Sequence, residues 1–185
     1  IYKYAVESYN SKDYKNAARM YKYIMDEYPS GDLYTYARTW MIKSKEELIK
    51  TTFPIDKESI VDLIAEYKVF IKDYGKNVQT APAMRNMALL EAFYLHDYAS
   101  SIINMEDAIQ ASESNPKIRD ECKLDLGDIF LLKDEPWEST LLYMQVEKAQ
   151  KEADLGEMAK LKNAKLQYYT GQFALSKDIL DVLKK

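Results

Sequence analysis

Five stretches of this chain carry one pattern, and that repetition constrains the fold more than any other feature. "YKNAARMYKYIMDEYP" starts at residue 14 and "IVDLIAEYKVFIKDYG" at residue 60. Laid together, Tyr21 falls on Tyr67, Ile24 on Phe70 and Tyr28 on Tyr74, and a chain-breaker follows in both. Stretches from residues 98, 136 and 173 continue the register. They place Ser101, Ser139 and Ser176 under Ala17, and Met105, Tyr143 and Leu180 under Tyr21. The steps are 46, 38, 38 and 37 residues. A unit of that length cannot bury its own apolar face, so neighbouring units must stack.

The punctuation shows what each unit is made of. Pro29, Gly31, Pro54, Gly75, Pro116, Pro136, Gly156 and Gly171 fall between segments with helical apolar spacing, and Pro82 sits where a first helical turn tolerates it. No β-branched alternation and no Asn-Gly turn marks a strand. The spacing predicts ten helices, over about 1–11, 13–28, 32–50, 57–74, 80–95, 97–112, 116–132, 135–152, 155–170 and 172–184. Short turns such as "SKD", "LHD", "KDEP" and "TGQ" make paired helices antiparallel. The expectation is an all-α solenoid, one array of five hairpins at about 1–31, 32–76, 77–114, 115–154 and 155–185. The second unit's longer step is assigned to an extended first helix and the loop "KTTFPID". Ile1 is not a methionine and the chain reads as mid-helix from its first residues, so a fragment of a longer chain is expected.

A small residue, an aromatic four later, an apolar residue three later and then Tyr-Pro resembles the second helix of a tetratricopeptide repeat (TPR). The first repeat carries this as Asp13-Tyr14, Ala17, Tyr21, Ile24 and Pro29, with Ala5 as the small residue of its first helix. Leu126-Gly127 with Phe130, and Ala164, Gly171 and Phe173, are similar to the same family in the fourth and fifth repeats. The resemblance covers essentially the whole chain and is weak in the second repeat. It implies a right-handed α-α superhelix. The phrase "DEYPSGDLYTYA" resembles the divergent bacterial envelope subgroup, outer-membrane assembly lipoproteins and large Bacteroidetes repeat proteins among them. That narrower likeness implies a periplasmic or envelope setting, with a cytoplasmic one as the alternative.

The tyrosines divide into two groups. Tyr14, Tyr21 and Tyr28 follow an i, i+7, i+14 stripe, a core face, with Tyr23 off it and partly exposed. Ala17 and Tyr21 share a face, the small residue letting helices approach and the ring filling the gap to the next unit. In the family, the first helix of each hairpin lines a concave groove. Carried over by register, that implies a partner groove built from Tyr2, Val6, Tyr9 and Asn10, then Tyr36, Trp40 and Lys43. It continues with Asn86, Leu90, Phe93 and Tyr94, then Asp128, Leu131 and Leu132, then Lys165, Tyr168 and Tyr169. Tyrosine and tryptophan give large contact area with a polar tip, which suits a peptide ligand.

Nothing in the sequence points to chemistry. His96, the only histidine, sits in a turn beside Asp97 with no nucleophile motif nearby. One histidine and the single Cys122, read as a buried apolar residue, make no ligand set with metal spacing. There is no glycine-rich phosphate loop. The formal charge of −4, with no long Lys/Arg cluster, lacks the footprint of a nucleic-acid binder. No run of eighteen apolar residues could span a bilayer. The eight methionines, spread along the array, read as core filling. The expected function is a non-catalytic scaffold with no cofactor, holding a protein or peptide partner. Alternatives are an envelope-assembly component, a regulatory repeat domain of a larger protein, and self-association through the apolar C-terminal helix with Ile179, Leu180, Val182 and Leu183.

Overall fold

The computed structural model describes residues 1–151 and 153–183. Among them every regular element is helical: α1 (Tyr2–Asn10), α2 (Tyr14–Glu27), α3 (Tyr34–Thr51), α4 (Lys57–Tyr74), α5 (Ala81–Leu90), α6 (Tyr98–Ala111), α7 (Pro116–Leu132), α8 (Pro136–Ala149), α9 (Asp154–Tyr169) and α10 (Phe173–Leu183). Most match an expected helix to within about two residues; α8 stops at Ala149, short of the end expected at 152, and residues 152 and 184 themselves lie outside the described residues. The fifth helix differs: after Leu90 it widens into a π turn, Glu91–Leu95. The chain forms two compact units, Ile1–Phe70 and Ile71–Lys185, divided within α4.

In the first unit α1 and α2 form a hairpin whose turn passes through Lys12 at φ 65°. The Asp13 carboxylate accepts from the Asn16 N–H and caps α2. Ala5, Ala17, Tyr21 and Ile24 close the interior of this hairpin. Tyr28 departs from the expected stripe and is 61% exposed, because it is the C-cap residue of α2, with φ −130° and ψ 60°. Tyr14 is half-buried. Ala37, Met41 and Ile42 of α3 and Ile60, Leu63, Ile64, Tyr67 and Phe70 of α4 are all buried. The Tyr67 hydroxyl donates to buried Glu46 at 2.5 Å, and Lys50 pairs with the same carboxylate. The Arg38 guanidinium lies 5.6 Å from the Phe70 ring centre.

The second unit repeats one joint three times. Ser101 Oγ donates to the Ala88 carbonyl at 2.7 Å, Ser139 Oγ to Gly127 at 2.7 Å, and Ser176 Oγ to Ala164 at 2.8 Å. In each hairpin the small residue of the second helix thus meets the small residue of the first. At Gly127 the approach is tight, since a Cβ there would lie 2.5 Å from Tyr143 Cε1. Leu124, Tyr143 and Val146 then pack with Ala159 and Leu166 of α9, so one hairpin's apolar face is closed by the next.

Candidate functional site

The first-helix positions expected to face a partner converge most clearly in the first unit. Tyr2, Val6 and Tyr9 recur along one face of α1, and Tyr36, Trp40 and Lys43 along one face of α3. Their rings meet across the two helices. Tyr2 lies 5.5 Å from Tyr36, Tyr9 lies 4.9 Å from Trp40 edge-on, and Tyr36 lies 5.8 Å from Trp40. The Lys43 ammonium sits 4.7 Å from the Trp40 ring centre, within cation–π range. Tyr14, not among the expected residues, extends the patch at 5.4 Å from Tyr9. Tyr2 and Tyr36 are each 37% exposed. Trp40 and Tyr9 are half-buried and Asn10 is exposed.

The electrostatics keep this patch neutral at its rings. A hydrogen bond with Tyr2, then burial, pushes the Tyr36 phenol up to about 12. Burial, then the nearby Glu47 carboxylate, raises Tyr9. Near neutral pH both remain hydroxyl donors on apolar rings.

In the second unit the corresponding helices carry charge. Arg85 of α5 donates to Asp125 at 2.5 Å and Glu121 at 2.7 Å, both on α7. Asp128 accepts from the Tyr143 hydroxyl of α8 at 2.7 Å and from Lys162 of α9 at 2.5 Å. The expected groove residue Asp128 is therefore a strut among three helices, its two oxygens already engaged. Leu90, expected to face the groove, is instead fully buried as part of the core, so it is corrected as a surface residue. Asn86 and Tyr94 are half-buried, and Phe93, Leu131 and Leu132 are exposed. Lys165, Tyr168 and Tyr169 are exposed on α9, Tyr168 packing edge-on 5.3 Å from Phe173. They form a small aromatic group at the last turn.

The remaining chemical candidates resolve simply. Cys122 is fully buried, and burial lifts its thiol up to about 12. His96 is exposed at φ 57°, where it terminates the π turn. Among the described residues no cluster of His, Cys, Asp or Glu could hold a metal ion. Nor is any of their helices long and apolar enough to cross a membrane. The methionines need a correction: Met84, Met87 and Met105 are buried, but Met144 and Met158 are half exposed. Both leave about half of their surface to solvent.

Stacked antiparallel hairpins with a small-residue joint and an interlocking aromatic define a TPR-like helical repeat protein. The chain matches a tetratricopeptide repeat protein from Parabacteroides merdae over 98% of its own length and 63% of that chain, at 15% identity and TM-score 0.71. It matches BtubC (BKLC) from P. vanneervenii over 97% of its length and 75% of that chain, at 10% identity and TM-score 0.79. A putative kinesin light chain with TPR-like repeats from Podosopora anserina aligns over 98% and 90% of the two chains, at 10% identity and TM-score 0.75. No family model and no curated protein matches the sequence.

Proposed function

We propose that this chain is a non-catalytic binding scaffold whose first-helix faces hold a segment of a partner protein. The observation that carries this reading is the patch of Tyr2, Tyr9, Tyr36 and Trp40 in the first unit. Aromatic rings that stay part-exposed while packed against one another are preorganised, so a partner side chain meets them at a lower ordering cost. Their hydroxyls and the Lys43 ammonium supply donors around an apolar floor, which favours a peptide carrying both apolar side chains and carbonyl or carboxylate acceptors. In the second unit Lys165, Tyr168 and Tyr169 offer a smaller patch of the same composition.

The test is affinity capture from native extract with the wild type beside Trp40→Ala and Tyr168→Ala, each checked for helicity and melting temperature. Loss of captured partners with Trp40→Ala supports the reading. Equal capture by both folded variants refutes it. A second reading, self-association, is favoured by exposed Leu175, Leu180 and Val182 on α10. Sedimentation of a clean monomer at all concentrations counts against it.

A further inference from the structure

The exposed face of α8 is the surface that the groove reading leaves unused. Trp137, Leu141 and Met144 recur at i, i+4 and i+7, which places them on one face. They are 79%, 51% and 53% exposed. Isolated apolar residues on a surface need no explanation, but three in register beside a concavity do. Trp137 and Met144 form one wall of a cleft of about 460 Å³, with Leu166 and Leu175 opposite. Leu141 and Met144 open onto a second cleft of about 650 Å³ rimmed by Lys148, Lys151 and Lys160. Met144 belongs to both, so the two are continuous through one side chain.

Charge selects the occupant. None of the three lysines is ion-paired among the described residues, although the chain as a whole is acidic at −4. Glu147 lines the same cleft, and Asp178 lies beside Lys160 in a smaller one, so the excess is local and modest. At the opposite end of α8 the first turn carries Glu138. The face therefore runs from apolar to basic over the eleven-residue step from Trp137 to Lys148, about 16 Å of helix.

We propose that this face docks an amphipathic segment of a partner protein whose apolar side chains are followed by a cluster of acidic ones. The apolar side chains fill the Trp137–Met144 cleft, and the carboxylates meet Lys148, Lys151 and Lys160. This surface lies on a second helix of its hairpin and is independent of the aromatic patch of α1 and α3. A concave cleft fits separate side chains better than a flat lipid surface, which makes a peptide the occupant.

The experiment measures fluorescence anisotropy of a labelled helical peptide of about four turns. It carries leucines at i, i+3, i+4 and i+7 followed by four acidic residues. Comparators are the same peptide with lysines in place of the acids, a scrambled one, and vesicles of anionic phospholipid. Wild type is expected to bind the acidic peptide at least tenfold more tightly than the lysine peptide, with the gap narrowing as salt rises. Trp137→Ala, and the double variant Lys148→Glu with Lys151→Glu, are each expected to weaken binding about tenfold with unchanged melting temperature. Trp40→Ala is expected to leave it unchanged, so the two sites fail or succeed separately. Equal binding of the lysine or scrambled peptide overturns the proposal. So does full binding by the folded double variant, absence of peptide binding at millimolar concentration, or binding to vesicles alone.

Discussion

At Gly127 the Tyr143 ring of α8 lies so close against α7 that a single methyl group has no place to go. Its Cβ would stand 2.5 Å from Tyr143 Cε1, and the ring cannot swing away because its hydroxyl is held on Asp128. Gly127→Ala is expected to destabilise the second unit by about 1–3 kcal/mol, read as a lower denaturation midpoint. Asp125 makes a different residue-scale case. Burial outweighs the Arg85 hydrogen bond and raises its carboxyl above the usual carboxylate range. A raised carboxyl binds its proton more tightly folded than unfolded. Its contribution is therefore fully present below the ordinary carboxylate pKa, and is lost as pH climbs to the raised value. Asp125→Asn cannot ionise, so its stability should fall less than wild type's across that window, in thermal melts between about pH 3 and pH 7. A steeper fall for the variant would show that the Arg85 pair dominates. Cys122 should resist thiol reagents in the folded protein and react fully in denaturant, since its buried thiol is held protonated.

Among elements, the hairpin turn is the recurring device. Lys12, His96, Asp134 and Gly171 all take left-handed backbone angles, and the next residue starts or caps the second helix. At three of them that next residue's N–H reaches back five residues, from Asp13 to Ser8, Glu135 to Phe130 and Gln172 to Gln167. After the π turn the reach is one longer, from Asp97 to Glu91. A side chain in this conformation is strained, so Lys12→Gly is expected to stabilise the first unit by about 0.5–1 kcal/mol, measured by chemical denaturation. A loss instead would mean that glycine's freedom in the unfolded chain outweighs the relief. These turns were visible as "SKD", "LHD", "KDEP" and "TGQ", because short polar breaks between helical runs leave few conformations. The π turn was not. It begins at Glu91, whose buried carboxylate accepts from Asn104 of α6 at 2.7 Å, and no local spacing announces a tertiary contact. Met144 was misplaced for the mirror reason: periodicity tells which residues share a face, and not whether another element covers it.

At the scale of the whole molecule the period carried most of the information. It anticipated the succession of helices and the serines of the three joints, because stacking demands the same geometry at each step. Tyr2, Tyr9, Tyr36 and Trp40, carried over from the family resemblance, come together as rings because helix register fixes their places on α1 and α3. The period did not find the charged ladder of the second unit, although the signal was there. Arg85 to Asp125 and Glu121, and Lys162 to Asp128, are separations of 40, 36 and 34 residues, close to one repeat. A cation and a carboxylate one period apart on first helices can meet across the stack, a spacing that apolar periodicity does not register. The same ladder bears on how the stack stands. If each hairpin relies on the next, removing α9 and α10 by truncation after Gln150 strips Ala159 and Leu166 from Leu124, Tyr143 and Val146. It also removes Lys162 from Asp128. Re-exposing those side chains at about 1.5–3 kcal/mol for each fully uncovered one should lower stability by several kcal/mol. The truncated chain should then melt earlier and bind a hydrophobic dye. Unchanged melting of the helices that remain would mean that each hairpin closes its own core, and the stacking principle would not hold for this chain.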